Sequence, residues 1–197
     1  MTSSRVAVVD TKAGNLFSIL SALERIGFTP ILVGSADDIQ KDTAVFNALV
    51  IPGQGRFGAV MRSLRTNGLD SLIKDWYLSG RKLLGICVGM QIFFAESEED
   101  IGVSGLGLLE GQVKRLQLPK RPMVGWCELD SKQLWLDKKC VYFVNGYGVS
   151  KTESETSRVE YGEGFVASIR SKGLTAFQFH PEKSGSVGEE MLRQCLI

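Results

Sequence analysis

The segment Gly85-Ile86-Cys87-Val88-Gly89-Met90-Gln91 constrains this chain more than any other. Ahead of it, Leu83-Leu84-Gly85-Ile86 is an apolar run of the kind that forms a buried strand, and Met90 to Ala95 reads as the start of a helix. A strand that passes through Gly-x-Cys-x-Gly into a helix is the thiol form of the nucleophile elbow, a tight turn that lifts one side chain off the end of a sheet. Its glycines fit that geometry, because the turn needs unusual backbone angles and the strand and helix must approach closely. A cysteine at a helix N-terminus also sits at the positive end of the dipole, which favours thiolate. Buried cysteines more often act as small hydrophobes, so chemistry at Cys87 requires a partner elsewhere in the chain.

The sequence offers one. Its single histidine, His180, lies in Phe177-Gln178-Phe179-His180-Pro181-Glu182, an apolar strand that ends in a polar cluster. A thiol nucleophile needs a base, and the base needs an orienting group. His180 and Glu182 supply both, two residues apart. Taken alone, His180 would be a structural histidine; the elbow changes that reading. The remaining thiols, Cys127, Cys140 and Cys195, show neither metal-ligand spacing nor close pairing. With one histidine present, no metal is expected, and the thiols read as reduced, in a cytoplasmic chain.

A length of 197 residues predicts a single domain with a sizeable core. With 23 basic and 22 acidic side chains and no basic stripe, nucleic acid is not an expected partner. No apolar run approaches the ~20 residues of a membrane span, and the N-terminus enters a strand without the apolar core of a signal peptide. Strands are expected at Arg5–Val9, Thr29–Val33, Ala48–Ile51 and Leu83–Ile86. Helices are expected at Asn15–Ile26, which ends at Gly27, and at Leu69–Leu78. This alternation predicts an α/β fold, an open and mostly parallel sheet with helices on both faces. Beyond Val113 the pattern changes. Val113–Leu116, Val124–Cys127, Val141–Val144, Phe165–Ile169 and Leu174–Phe179 are strand-like with short connections, so antiparallel additions are expected. Lys151–Arg158 reads as an exposed polar loop, and Gly185–Leu196 as a closing helix. In an open α/β sheet ligands bind at the carboxyl ends of strands. The loops after Ile51, Ile86 and Phe179 are therefore expected to converge.

The elbow together with Phe177-Gln178-Phe179-His180-Pro181-Glu182-Lys183-Ser184 resembles the class I glutamine amidotransferases. The resemblance runs from Val6 to about Leu196. GMP synthetase glutaminase domains share a similar elbow. The opening Asp10-Thr11-Lys12-Ala13-Gly14-Asn15-Leu16, the segment Pro52-Gly53-Gln54-Gly55-Arg56-Phe57 and the ending His180-Pro181-Glu182-Lys183-Ser184-Gly185 narrow it to the glutaminase subunits of imidazole glycerol phosphate synthases. The resemblance implies a Cys87–His180–Glu182 triad that hydrolyses the side-chain amide of glutamine without a cofactor. An oxyanion would be met by the Val88 N–H and by a donor from Gly53-Gln54-Gly55, with Gln91 and Tyr147 as substrate contacts. It also implies a heterodimer with a TIM-barrel synthase (cyclase) subunit that receives the ammonia for histidine biosynthesis. Asn15, Trp126 and Lys183 match positions that face that partner.

The chain departs from the pattern in places. Where the family usually has Pro-His-Met-Gly-Trp-Asn, it has Pro122-Met123-Val124-Gly125-Trp126-Cys127. Where the family usually has Phe-Val-His-Ser-Tyr, it has Phe143-Val144-Asn145-Gly146-Tyr147. The segment between Trp126 and Val141 is also short. These changes leave the triad intact but bear on the partner. They keep open a paralogous subunit that feeds ammonia into surface-polysaccharide amino-sugar synthesis. A non-catalytic regulatory subunit and a related thiol peptidase are the readings that the intact triad, Gln91 and the ending disfavour.

Overall fold

A computed structural model describes residues 4–12, 16–40 and 43–197. The expected partner position Asn15 lies outside the described residues. Five short apolar segments form the parallel part of a seven-stranded sheet: β1 (Arg5–Val9), β2 (Thr29–Val33), β3 (Ala48–Ile51), β4 (Lys82–Ile86) and β11 (Leu174–Phe177). The strand order is β2-β1-β3-β4-β11-β10-β9. The edge strands β9 (Glu155–Tyr161) and β10 (Glu163–Ser171) add antiparallel. Residues 48–51 of β3 are buried throughout, as a strand covered on both faces must be.

The order explains the helices. The chain leaves β1 in one direction to reach β2 and leaves β3 in the other to reach β4. Right-handed crossovers running in opposite directions put their helices on opposite faces. Helix α1 (Phe17–Arg25) accordingly packs with α6 (Gly185–Leu196), and α3 (Phe57–Thr66) packs with α4 (Leu69–Leu78). The short α2 (Asp37–Gln40) precedes β3. Helices α4 and α6 span the expected residues, and α1 begins at Phe17. Helix α3 was not foreseen, although Phe57, Val60, Met61 and Leu64 are all buried at helical spacing.

Two expectations fail. The apolar run Met90–Ala95 does not continue as a helix: α5 covers only Val88–Gln91. The carbonyls of Ile92, Phe93 and Ala95 are taken instead by the N–H groups of Leu106, Leu108 and Gly105, so a following segment competes away the next helical turn. Lys151–Arg158 is not a loop throughout, because Glu155–Arg158 belongs to β9. Its inward side chains are Ser157 and Val159, and the Ser157 hydroxyl is bonded to the Ser168 hydroxyl at 2.6 Å. A strand whose buried face carries a serine gives only a weak apolar alternation.

The remaining strands form two small antiparallel pairs, β5 (Val113–Arg115) with β8 (Tyr147–Val149), and β6 (Met123–Glu128) with β7 (Cys140–Asn145). In the second pair Met123, Val141, Phe143 and Asn145 point inward, whereas Val124 and Trp126 are 58% and 55% exposed. No helix of the described residues is long and apolar enough to cross a membrane.

Candidate active site

Strands β3, β4 and β11 are adjacent and parallel, so their carboxyl ends open on one edge. The three loops that leave them meet there. A cavity of about 290 Å³ is lined by Gly53, Gln54 and Gly55 after β3, by Cys87, Val88 and Gln91 after β4, and by His180 and Lys183 after β11. Tyr147 lines it from β8. Among the described residues, every site position expected from the sequence lines this cavity except Glu182, which stands behind His180, and Trp126.

Cys87 holds the strained conformation of an elbow, φ 51° and ψ −110°, in a region where a residue with a Cβ persists only if its surroundings enforce it. Its N–H is tied to the Phe177 carbonyl at 2.6 Å. Gly85 and Gly89 supply the close approach, since a Cβ at either would fall within 2.6 Å of neighbouring atoms. Val88 is the first residue of α5, so its N–H has no intrahelical acceptor.

His180 and Glu182 sit on a single 3-10 turn, Pro181–Lys183, that caps the end of β11. His180 Nδ1 is 2.8 Å from Glu182 Oε1, with both side chains only 5% exposed. Ser184 braces the turn: its hydroxyl donates to the His180 carbonyl at 2.7 Å and accepts the Tyr142 N–H at 3.0 Å, while the His180 N–H donates to the Tyr142 carbonyl. Burial by itself would lower the imidazole pKa. Hydrogen bonds to Cys87 and Glu182, and the charges of both, outweigh it and hold His180 up at about 10.

The other thiols differ. Burial pushes Cys195 up to about 12. Burial, with the charges of Cys140 and Glu128, also raises Cys127. Cys140 is exposed on β7.

Two features of the cavity, Glu99 and Gln178, escaped the sequence reading, and a third, Asn145, entered it only as a departure from the family pattern. Glu99 lines the cavity, 45 residues along the chain from Gln54, with its Oε2 accepting the Phe57 N–H at 2.8 Å. It therefore caps α3, where a carboxylate complements the helix dipole. Asn145 lines the cavity from the end of β7 and donates to the Tyr147 carbonyl at 3.2 Å. Gln178, fully buried, places its amide nitrogen 3.7 Å from Cys87 Sγ. The acid-rich stretch Glu96–Asp100 was a signal for Glu99, and the departure at Asn145-Gly146 for Asn145; nothing local marks Gln178. Gln91 Oε1, Asn145 Oδ1 and Glu182 Oε2 are buried with no hydrogen-bond partner among the described residues. Buried acceptors are normally satisfied, and Gln91 and Asn145 both border the cavity.

Trp126 stands apart from the cavity, on the outer face of the β6–β7 hairpin, edge-on to Tyr142 at 5.8 Å. Register pairs Val124 with Val144, and Val144 lines the cavity. The exposed apolar face therefore runs up to the cavity rim.

The class-I glutamine amidotransferase family model matches residues 7–197. The imidazole glycerol phosphate synthase subunit HisH of Carboxydothermus hydrogenoformans is 40% identical over 195 residues, covering 94% of this chain and 96% of that protein. The HisH subunit of Oceanobacillus iheyensis is 36% identical, covering 96% of each. Among solved structures, a glutamine amidotransferase crystal structure superposes with a TM-score of 0.79 at 21% identity, covering 97% of this chain and 96% of that one. That likeness concerns the fold, an open mostly parallel sheet with helices. The full-length matches at this identity decide the family: the chain belongs to the class-I glutamine amidotransferases, among the relatives of the HisH subunits of imidazole glycerol phosphate synthase.

Proposed function

We propose that this chain hydrolyses the side-chain amide of glutamine and delivers the ammonia to a cyclase subunit in histidine biosynthesis. The observation that carries the reading is His180, buried between the Cys87 thiol and the Glu182 carboxylate at the head of a cavity. Cys87 Sγ attacks the amide carbon as thiolate. The C–N bond breaks, and the His180 imidazolium gives its proton to the departing nitrogen, which leaves as ammonia. Water then attacks the thioester, His180 takes its proton, and the C–S bond breaks to release glutamate. Glu182 fixes the imidazole tautomer and stabilises its charge throughout.

The oxyanion of each tetrahedral intermediate is met by the Val88 N–H and by a peptide N–H of Gly53-Gln54-Gly55. Gly55 has φ 101°, a conformation a side chain resists, so this strand can turn a peptide toward or away from the oxyanion. An α-ammonium group would find the Glu99 carboxylate on the cavity wall.

The HisH relatives are named as subunits, and the exposed Val124–Trp126 face continuous with the cavity rim supports a partner seated over its mouth. We assign that partner as a TIM-barrel cyclase in a heterodimer, with Trp126 and Lys183 in the contact. The experiment is ammonia release from glutamine by the chain alone and with the cyclase subunit and its acceptor. Turnover that rises about 10²-fold with the partner fits one oxyanion donor being brought into place. Full turnover by the chain alone would remove the case for gating, and none under any condition would refute the activity.

A further inference from the structure

We propose that Gln178 holds the Cys87 thiolate through its side-chain N–H and couples it to the substrate side of the cavity through Gln91. The proposal rests on Cys87 being the nucleophile and goes beyond it, because the triad alone gives Gln178 no part. The bonding order fixes which way each amide points. The Tyr147 carbonyl can only accept, so the Gln91 atom 3.0 Å away is its nitrogen. The same nitrogen lies 3.0 Å from Gln178, whose facing atom must be the oxygen. The remaining end of Gln178 is then Nε2, and it lies 3.7 Å from Cys87 Sγ. A chain of donors thus reaches the sulfur, which as a thiol passes its own proton toward the Val144 carbonyl at 3.7 Å; an N–H aimed at the sulfur favours its charged form. At the other end, Gln91 itself lines the cavity. One side chain therefore borders the cavity and the next faces the nucleophile.

The setting suits this role. Gln178 is fully buried just past the end of β11, and its backbone N–H is bonded to the Ala167 carbonyl at 2.8 Å. The amide is a poor choice for an apolar interior unless its groups are used. The titratable groups around the sulfur are His180, backed by Glu182, with Glu99, Tyr147 and Lys183 farther along the cavity wall. None of them replaces a neutral donor on the Gln178 side.

The test is the pH dependence of Cys87 alkylation by iodoacetamide, resolved by peptide mass spectrometry so that exposed Cys140 does not interfere. In Gln178→Met, which keeps the volume and loses the donor, the acid limb of the profile should move up by about one pH unit or more. In Gln178→Glu it should move farther, because a carboxylate adds like charge beside the sulfur. Folded variants that both keep the wild-type limb overturn the proposal. Should the variants not fold, the wild type decides: the Gln178 side-chain amide resonances should shift with the Cys87 midpoint, and should not do so in Cys87→Ser. Resonances that stay fixed in the wild type overturn it. Labelling by a glutamine-analogue electrophile separates the two claims. Label on Cys87 with an unmoved limb sinks only the role of Gln178; label on another thiol sinks the nucleophile assignment as well.

Discussion

Gly53 lies flat against the elbow: a Cβ there would sit 1.9 Å from the Ile86 carbonyl oxygen and 2.5 Å from Cys87 Cβ. Gly89 reciprocates, with a Cβ that would fall 2.2 Å from the Ile51 carbonyl oxygen. The loop after β3 and the turn after β4 interlock through side chains that are absent. The nearest obstacles are backbone carbonyl oxygens, which cannot swing aside.

Gly53→Ala should therefore disturb the site and the fold together. Overpacking of this kind costs about 1–3 kcal/mol, read as a drop in Tm of several degrees. Ammonia release should fall at least tenfold if, as proposed, the displaced loop supplies an oxyanion donor. Wild-type Tm and turnover in this variant would contradict the interlock.

The His180 imidazole is raised to about 10 in the folded chain, above the ~6.5 of an unfolded one. Its stabilising contribution is complete below about 6.5 and is lost as pH rises through about 10. Tm should decline from neutral pH toward pH 10 more steeply in the wild type than in His180→Gln. Parallel declines would show that the buried pair is not what titrates.

His180→Ala should lose turnover by about 10²–10⁴-fold, as expected for general acid–base catalysis, because the sequence holds no other histidine. Glu182→Gln keeps a group that orients the ring and should retain partial activity. Near-normal ammonia release by His180→Ala with the partner present would count against the mechanism.

A glutamine-analogue electrophile should label Cys87 and spare the other three thiols. Cys195 and Cys127 are held protonated by burial, and exposed Cys140 lies outside the cavity that Cys87 lines. Equal labelling of any other thiol, with activity lost, would reassign the nucleophile.

Trp126 is 55% exposed on a face that continues to the cavity rim through Val144. Trp126→Ala should weaken association with the cyclase subunit about tenfold or more, as buried aromatic anchors do at interface centres. Calorimetric titration with the cyclase subunit reads the change directly. An unaltered Kd would move the interface elsewhere.

The parallel strands were legible because a strand buried on both faces is a continuous apolar run, as in Ala48–Ile51. The elbow was legible because its glycines, thiol and flanking strand are consecutive. Two local signals misled. Met90–Ala95 carries a helical composition, yet residues 105–108 take the carbonyls that another turn would need. Glu155–Arg158 looks like solvent-exposed loop, yet it lies at the sheet edge, where polar side chains can face outward and Ser157 is satisfied by Ser168.

The sequence by itself determined the fold class and singled out Cys87, His180 and Glu182, because each is written in a short window with its own backbone demands. The tertiary structure alone decided what surrounds them. Glu99 reaches the cavity because it caps α3. Asn145 arrives on a separate hairpin, and Gln178 meets Cys87 because β11 lies beside β4 in parallel register. The Glu99–Phe57 and Gln178–Cys87 bonds join residues 42 and 91 positions apart along the chain. Only the strand order and register bring such residues within hydrogen-bond reach, and no local pattern encodes that distance.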